Sequence, residues 1–191
     1  MIFEAIITTV NGQNEPHITP FGVRYHDDFI VISPYKPSTT LANILATKCA
    51  VLNQTDDVRA FAGALTGHVH FPLVAADKLN GFRMANLLAH QELQLVKMED
   101  DAVRPTLYFK SVHQVNHAPF LGFNRAQAAV VELSILVSRL DRLPQDKVLK
   151  EKAYLQIAID KTAGEREHIA WGWLCEKIDN FYAAQSGQNI A

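Results

Sequence analysis

At 191 residues, with 48% hydrophobic and 20% charged side chains, the chain has a soluble globular balance and the length of one large domain or two small ones. Its 18 basic and 20 acidic residues are evenly mixed, for a net charge of -2, so no basic stripe marks a nucleic-acid surface. No apolar run approaches the roughly 18 residues of a membrane span, and the start "MIFEAIITTV", with Glu4 and no basic region, reads as a strand and not as a signal peptide.

The first third alternates as a sheet does. Residues 2–10 and 17–25 are strands joined by the turn chemistry of "NGQNEP", and Asp27 and Asp28 make a second turn before "FIVIS" at 29–33. A short helix over 39–47 leads to a strand over 49–55, and "DDVRAFAGAL" reads as a helix with Asp56 or Asp57 as its cap. Residues 68–75, 92–98 and 105–115 are further strands, "EDDAVRP" connects the last two, and 77–90 stays open between helix and irregular structure. Cys49 and Cys175 sit far apart in apolar patterns. They read as reduced core residues, which suggests a cytoplasmic protein.

Near residue 120 the character changes. Asn124 precedes a long apolar periodic run, and Gln127 three positions later completes a capping-box pattern. Pro144 lies beyond this helix, 146–162 forms a second one with Gly164 as its C′ residue, and 165–184 forms a third. Ala170, Trp171, Leu174, Ile178, Phe181 and Tyr182 mark the buried stripe of the third helix. Strands first and helices last define an α+β chain, with a β domain over 1–120 and a helical region over 121–191.

The stretch "PYKPSTTLANI" places Lys36, Ser38, Thr39 and Thr40 where a helix begins. One hydroxyl suffices to cap a helix. Three hydroxyls and a lysine also suit a phosphate, because the opening N–H groups of a helix lack intrahelical partners and its dipole favours anions. Both readings stand on local grounds. The next helix start, "QTDDV", offers two carboxylates and would repel an anion. The chain has neither a P-loop nor a G-x-G-x-x-G fingerprint.

Four segments, "ITPFGVRY", "PYKPSTTLANI", "AVLNQTDDVRAFA" and "GFNRAQAAVVE", resemble the family catalogued as domain of unknown function 447. Its members are FMN-binding split-barrel flavoproteins, found mainly in methanogenic archaea and methylotrophic bacteria. The resemblance runs from residue 2 to about residue 182. It implies an FMN-binding split β-barrel followed by a C-terminal helical region, in a homodimer with FMN at or near the subunit interface. By this resemblance Lys36, Ser38, Thr39 and Thr40 take the phosphate, and Arg24 adds charge to it. Asn53, Thr55 and Asp56 lie towards the ribityl chain or the ring, and the backbone from Thr19 through Phe21 to Gly22 lines the isoalloxazine. Asn124 and Arg125 of "GFNRA" join the cofactor-binding set, with Arg125 reaching an anion or the partner subunit. On local grounds alone they are an ordinary cap and a surface arginine.

The eight histidines raise the question of a metal. His68-x-His70 on a strand would share a face, and His113 and His117, four apart, would stand next to each other on a helix, whereas that segment reads as a strand. Neither pair has a third ligand at a persuasive spacing, so no metal is expected. Three functions follow from the whole reading. The first is an oxidoreductase whose flavin transfers hydride or electrons to a small substrate, linked through the family's taxonomic spread to tetrahydromethanopterin one-carbon metabolism. The second is a non-catalytic flavin- or pterin-binding module, and the third a metal-dependent hydrolase.

Overall fold

A computed structural model describes residues 1–188. In chain order the elements are β1 (Phe3–Val10), β2 (Pro16–His26), β3 (Phe29–Ile32), α1 (Thr39–Thr47), β4 (Cys49–Gln54), α2 (Arg59–Thr66), β5 (Leu73–Ala75) and β6 (Phe82–Met84). They continue as β7 (Ala89–Glu99), β8 (Thr106–Asn116), α3 (Arg125–Val137), α4 (Gln145–Thr162) and α5 (Glu165–Gln188). The chain divides into two units. One holds Met1–Asp56 and His70–Phe120; the other holds Asp57–Val69 and the residues from Leu121 onward.

In the first unit six strands close a barrel in the order β1-β2-β3-β8-β7-β4, every pair antiparallel. Closure leaves no unpaired edge. The period-2 pattern supplies the interior: Ala5 and Ile7, Val23, Ile30 and Ile32, Ala50 and Leu52, Leu93, Leu107 and Phe109 form one core. Helix α1 adds Leu41 and Ile44, spaced i,i+3, to that same core. Its Asn43 Nδ2 donates to Thr9 Oγ1 (3.0 Å) near the end of β1, so α1 covers one rim. At the opposite rim, where β1 starts and β4 ends, a cavity of about 1000 Å³ is lined by Ala5, Val23, Leu52, Thr55, Ala89 and His117 among others.

The stretch 77–90 is largely irregular: the hairpin β5–β6 turns through it, and β7 begins only at Ala89. Of 68–75, only Leu73–Ala75 is strand. The hairpin is fixed to outward-facing side chains of the barrel. Met84 N donates to Asn53 Oδ1 (2.9 Å), Cys49 Sγ to the Asn80 carbonyl (3.4 Å), and three backbone N–H groups to Glu92.

One irregularity in the β7–β8 ladder changes which face a side chain meets. Glu92 pairs with His113 and Leu93 with Ser111, leaving Val112 as the extra residue of a bulge. Before it Leu107 and Phe109 point inward; after it His113 stands opposite outward-facing Glu92. A one-residue insertion inverts the in/out phase of a strand.

In the second unit α2 to α5 share a core of Val58, Ala62, Ala129, Val130, Leu133, Val148, Ile159, Ala170, Trp171, Leu174, Ile178 and Tyr182. The stripe expected on α5 is buried, with Phe181 partly so. Two capping details differ from expectation, and a third decides between the two caps expected for α2. Asn124 caps α3, accepting from Ala126 N and Gln127 N, but the Gln127 side chain donates to Glu167 (3.3 Å) and does not close a capping box. Gly164 has no left-handed φ; its N–H donates to Glu167 Oε2 (2.9 Å), so it serves the start of α5 and not the end of α4. At α2 it is buried Asp57 that receives Arg59 N (3.2 Å) and pairs with the Arg59 guanidinium (2.6 Å). No described helix is long and apolar enough to cross a membrane. Both cysteines are free thiols, Cys49 buried and Cys175 half-buried, and burial pushes the Cys175 thiol up.

Candidate functional site

The turn after β3 gathers positive charge. Ser33 receives Arg24 Nη2 on its hydroxyl (2.7 Å) and Arg104 Nε on its carbonyl (2.7 Å), and the Arg104 guanidinium lies 4.9 Å over the Tyr35 ring. Lys36 N donates to the Val103 carbonyl (2.8 Å), and Lys36 Nζ pairs with Asp100 Oδ1 at 2.5 Å. The hydrogen bond from Lys36 holds the Asp100 carboxyl below its usual value. Asp101 Oδ1 accepts from Val103 N and Arg104 N, which shapes the β7–β8 turn that supports the loop. Because this ion pair is solvent-exposed, it holds Lys36 in place only weakly.

Ser38 is the N-cap of α1, its Oγ accepting from Leu41 N at 3.3 Å. Thr39 is exposed, Thr40 is buried, and the first turn of α1 carries no acidic residue. One hydroxyl therefore caps and another faces solvent. Beside the turn, a groove of about 270 Å³ on the outer face of β2, β3 and β8 is lined by Arg24, Tyr25, Val31, Thr106 and Tyr108, with Met1 and His26 at its margin. Ile2, Phe3 and Tyr25 near it are exposed, and Phe3 packs edge-on against Tyr25.

The other sequence-predicted residues fall elsewhere. Phe21 packs into the barrel core, and Thr19 shares its strand face. Gly22 faces outward opposite Glu4, where an added Cβ would stand 2.8 Å from Cγ2 of the exposed Ile2 side chain, which would have to shift. Asn53 is fully buried; its Nδ2 bonds Thr8 Oγ1 (2.9 Å), the Val51 carbonyl (3.1 Å) and the Ile6 carbonyl (3.3 Å), while its Oδ1 holds the β5–β6 hairpin. Its polar atoms are committed to the scaffold. Thr55 and Asp56 follow β4 at the rim opposite α1. Asn124 and Arg125 belong to the helical unit, where Asn124 caps α3 and also bonds the Thr162 carbonyl (3.1 Å) and Arg125 is exposed. Ser33, Arg104 and Thr106 were not anticipated, since they come to the turn only through the β3–β8 pairing.

A second polar cluster lies on the outer face of β7 and β8 beneath the hairpin. Glu92 Oε1 accepts from Asp77 N (2.6 Å), and Oε2 from Lys78 N and Leu79 N (both 2.8 Å). Burial alone would raise the Glu92 pKa, but these three donors hold it below the usual value. His90 and His117 contact through Nδ1 and Nε2 at 2.9 Å, and burial pushes both rings down.

A closed six-stranded antiparallel barrel with a helix over one rim, followed by helices, is a split-barrel architecture. The chain belongs to the family described as Protein of unknown function (DUF447), whose N-terminal domain model matches residues 3–118 and whose second model matches residues 124–176. It is similar to an FMN-bound protein of that family from Methanosarcina mazei, at 18% identity and a TM-score of 0.78 over 92% of this chain and 94% of that one. A putative flavin reductase with a split barrel domain from Shewanella frigidimarina has a TM-score of 0.55 at 11% identity, over 60% of this chain and 66% of that one. The 2-nitrobenzoate 2-nitroreductase of Pseudomonas fluorescens has a TM-score of 0.53 at 20% identity, over 60% and 64%. No curated protein matches the chain.

Proposed function

We propose that this chain is an FMN-binding flavoprotein, active as a homodimer, that transfers hydride or electrons to a small substrate. The observation that carries the reading is the convergence of Arg24, Arg104 and Lys36 on the loop that opens α1, a helix whose first turn has hydroxyls and no carboxylate. A phosphate monoester needs cations, hydroxyl donors and free backbone N–H groups, and these residues offer all three. The FMN-bound relative of the same family supports the choice of flavin.

FMN, when bound, supplies the redox chemistry. The chain's part is to hold and orient it. Arg24, Lys36 and the opening N–H groups of α1 hold the phosphate, with Ser38 and Thr39 as hydroxyl partners. Tyr25 and Tyr108 offer aromatic surface along the groove. That groove, about 270 Å³, falls below the roughly 300–1,000 Å³ usual for a ligand pocket. A second subunit laid on exposed Ile2, Phe3 and Tyr25 would complete it and exclude water.

Reconstitution with FMN tests the reading. Flavin absorbance should co-elute with the protein in a one-to-one ratio per chain, and NADH or NADPH should bleach it under anaerobic conditions. Protein that retains neither FMN nor riboflavin at micromolar concentration would end the proposal. Retention without reduction by any donor would leave a carrier module and remove the oxidoreductase part.

A further inference from the structure

The cluster beneath the β5–β6 hairpin holds more than a clamped carboxylate. Asp77, His90, Glu92 and His113 each present one ligand atom, and these atoms all lie within 4.8 Å of one another. We propose that these four side chains form a binding site for a divalent first-row transition-metal ion, which ties the hairpin to the barrel wall. The proposal is independent of the flavin reading.

The spacing between ligand atoms carries the argument. Four donors placed tetrahedrally at 2.0–2.2 Å from an ion stand about 3.4 Å from one another. Here His113 Nε2 is 3.3 Å from Asp77 Oδ2, and His90 Nε2 is 3.5 Å from Glu92 Oε1 and 3.7 Å from Asp77 Oδ2. These separations suit a shared ion better than they suit direct hydrogen bonds, which want 2.7–3.2 Å.

A second, independent observation points the same way. His90 is fully buried, and its Nε2 has no hydrogen-bond partner although two carboxylates face it. Its other nitrogen is engaged, with Nδ1 2.9 Å from His117 Nε2. A proton on Nδ1, donated to His117, leaves the Nε2 lone pair directed at the cluster. Metal-ligating histidines are usually oriented in this way, through the second ring nitrogen. Glu92 Oε1 accepts one backbone N–H and keeps a lone pair for an ion. Arg83 bonds the Met84 carbonyl (3.2 Å) through Nη1.

The ligand set also reads sensibly along the chain. His90 and Glu92 are two apart on β7 and share its outer face, the bulge at Val112 turns His113 to that face, and Asp77 comes from the hairpin turn. Two imidazoles and two carboxylates suit zinc and its neighbours, and not magnesium or calcium, which prefer all-oxygen shells. Neither His68-x-His70 nor the pair His113 and His117 contains this set.

The test uses the full-length protein, stripped with a chelator and titrated with Zn²⁺ and with Co²⁺ as a spectroscopic probe. One equivalent of Co²⁺ should give visible d–d absorption of a low-coordinate site, and Zn²⁺ should displace it and raise the thermal midpoint. Asp77→Asn and His113→Gln replace partly exposed ligands by near-isosteres, so the barrel should still fold. Each should weaken Co²⁺ binding at least tenfold and abolish the thermal response at the same zinc concentration. His68→Ala, in the other unit, should change neither. Absence of saturable binding to the wild type below millimolar metal would overturn the proposal. So would undiminished affinity in Asp77→Asn and His113→Gln, which would place the ion elsewhere.

Discussion

Replacing Lys36 by alanine separates a phosphate site from an ordinary helix cap. Ser38 already caps α1, and among the described residues Lys36 has no capping contact; its ammonium pairs with exposed Asp100. Loss of that exposed pair should leave stability nearly unchanged. Loss of a charge-assisted bond to phosphate should cost about 1.5–3 kcal/mol of FMN affinity, roughly ten- to a hundredfold. Riboflavin, which lacks the phosphate, should bind the variant and the wild type alike. Asp100 adds a second arm, because a bound phosphate must share the ammonium with it. Asp100→Asn should tighten FMN modestly, an effect that shrinks as salt rises. The assay is quenching of flavin fluorescence, with FMN and riboflavin titrated in parallel and denaturant unfolding alongside. Equal losses for both flavins in Lys36→Ala, or unchanged FMN affinity in a folded variant, would refute the reasoning and leave Lys36 as a brace for the β7–β8 turn.

Asn53→Ala should act on stability and not selectively on flavin affinity, since it strands the buried Met84 N–H and loosens the hairpin; urea unfolding should show a loss of about 2–4 kcal/mol. Asn124→Ala removes the α3 cap and its bond to the Thr162 carbonyl, with an expected cost of about 1–2 kcal/mol in the same assay. Sedimentation velocity of the FMN-loaded protein should report a dimer at micromolar concentration, and a flavin-loaded monomer would remove the shared groove. Tyr25→Asp, which puts charge on the exposed apolar patch, should shift that equilibrium towards monomer without unfolding the barrel.

The barrel strands and the helices were legible because their signals are local. The β-branched runs "IITTV" and "FIVIS" mark strands buried on both faces, and the period of α3 and α5 follows from which face is buried. Residues 77–90 were not legible, because that segment is held by partners distant in sequence: its backbone finds acceptors in Glu92 and Asn53. The candidate site divides in the same way. The hydroxyl turn announced itself as a cap, whereas Arg104 and Ser33 meet only through strand pairing. The resemblance put Asn53 towards the flavin, whereas its buried amide brackets the hairpin to the barrel. The grouping of His113 with His90 and Glu92 depends on one unpaired residue, Val112, which no composition rule marks.

The placement of α2 bears on how this protein can be cut. The chain leaves the barrel after Asp56, makes one helix, and returns at His70 before leaving again at Leu121. Val58 and Ala62 on that helix are buried against residues that come more than sixty positions later, such as Ala129 and Leu133. A fragment ending at Phe120, the natural place to trim between the two family matches, would carry that greasy surface bare into solvent. It should aggregate, and grafting a Gly/Ser bridge in place of 57–69 should restore its solubility. During synthesis the same arrangement obliges an early segment to wait for late ones, so the helical half matures only after the last third of the chain has emerged.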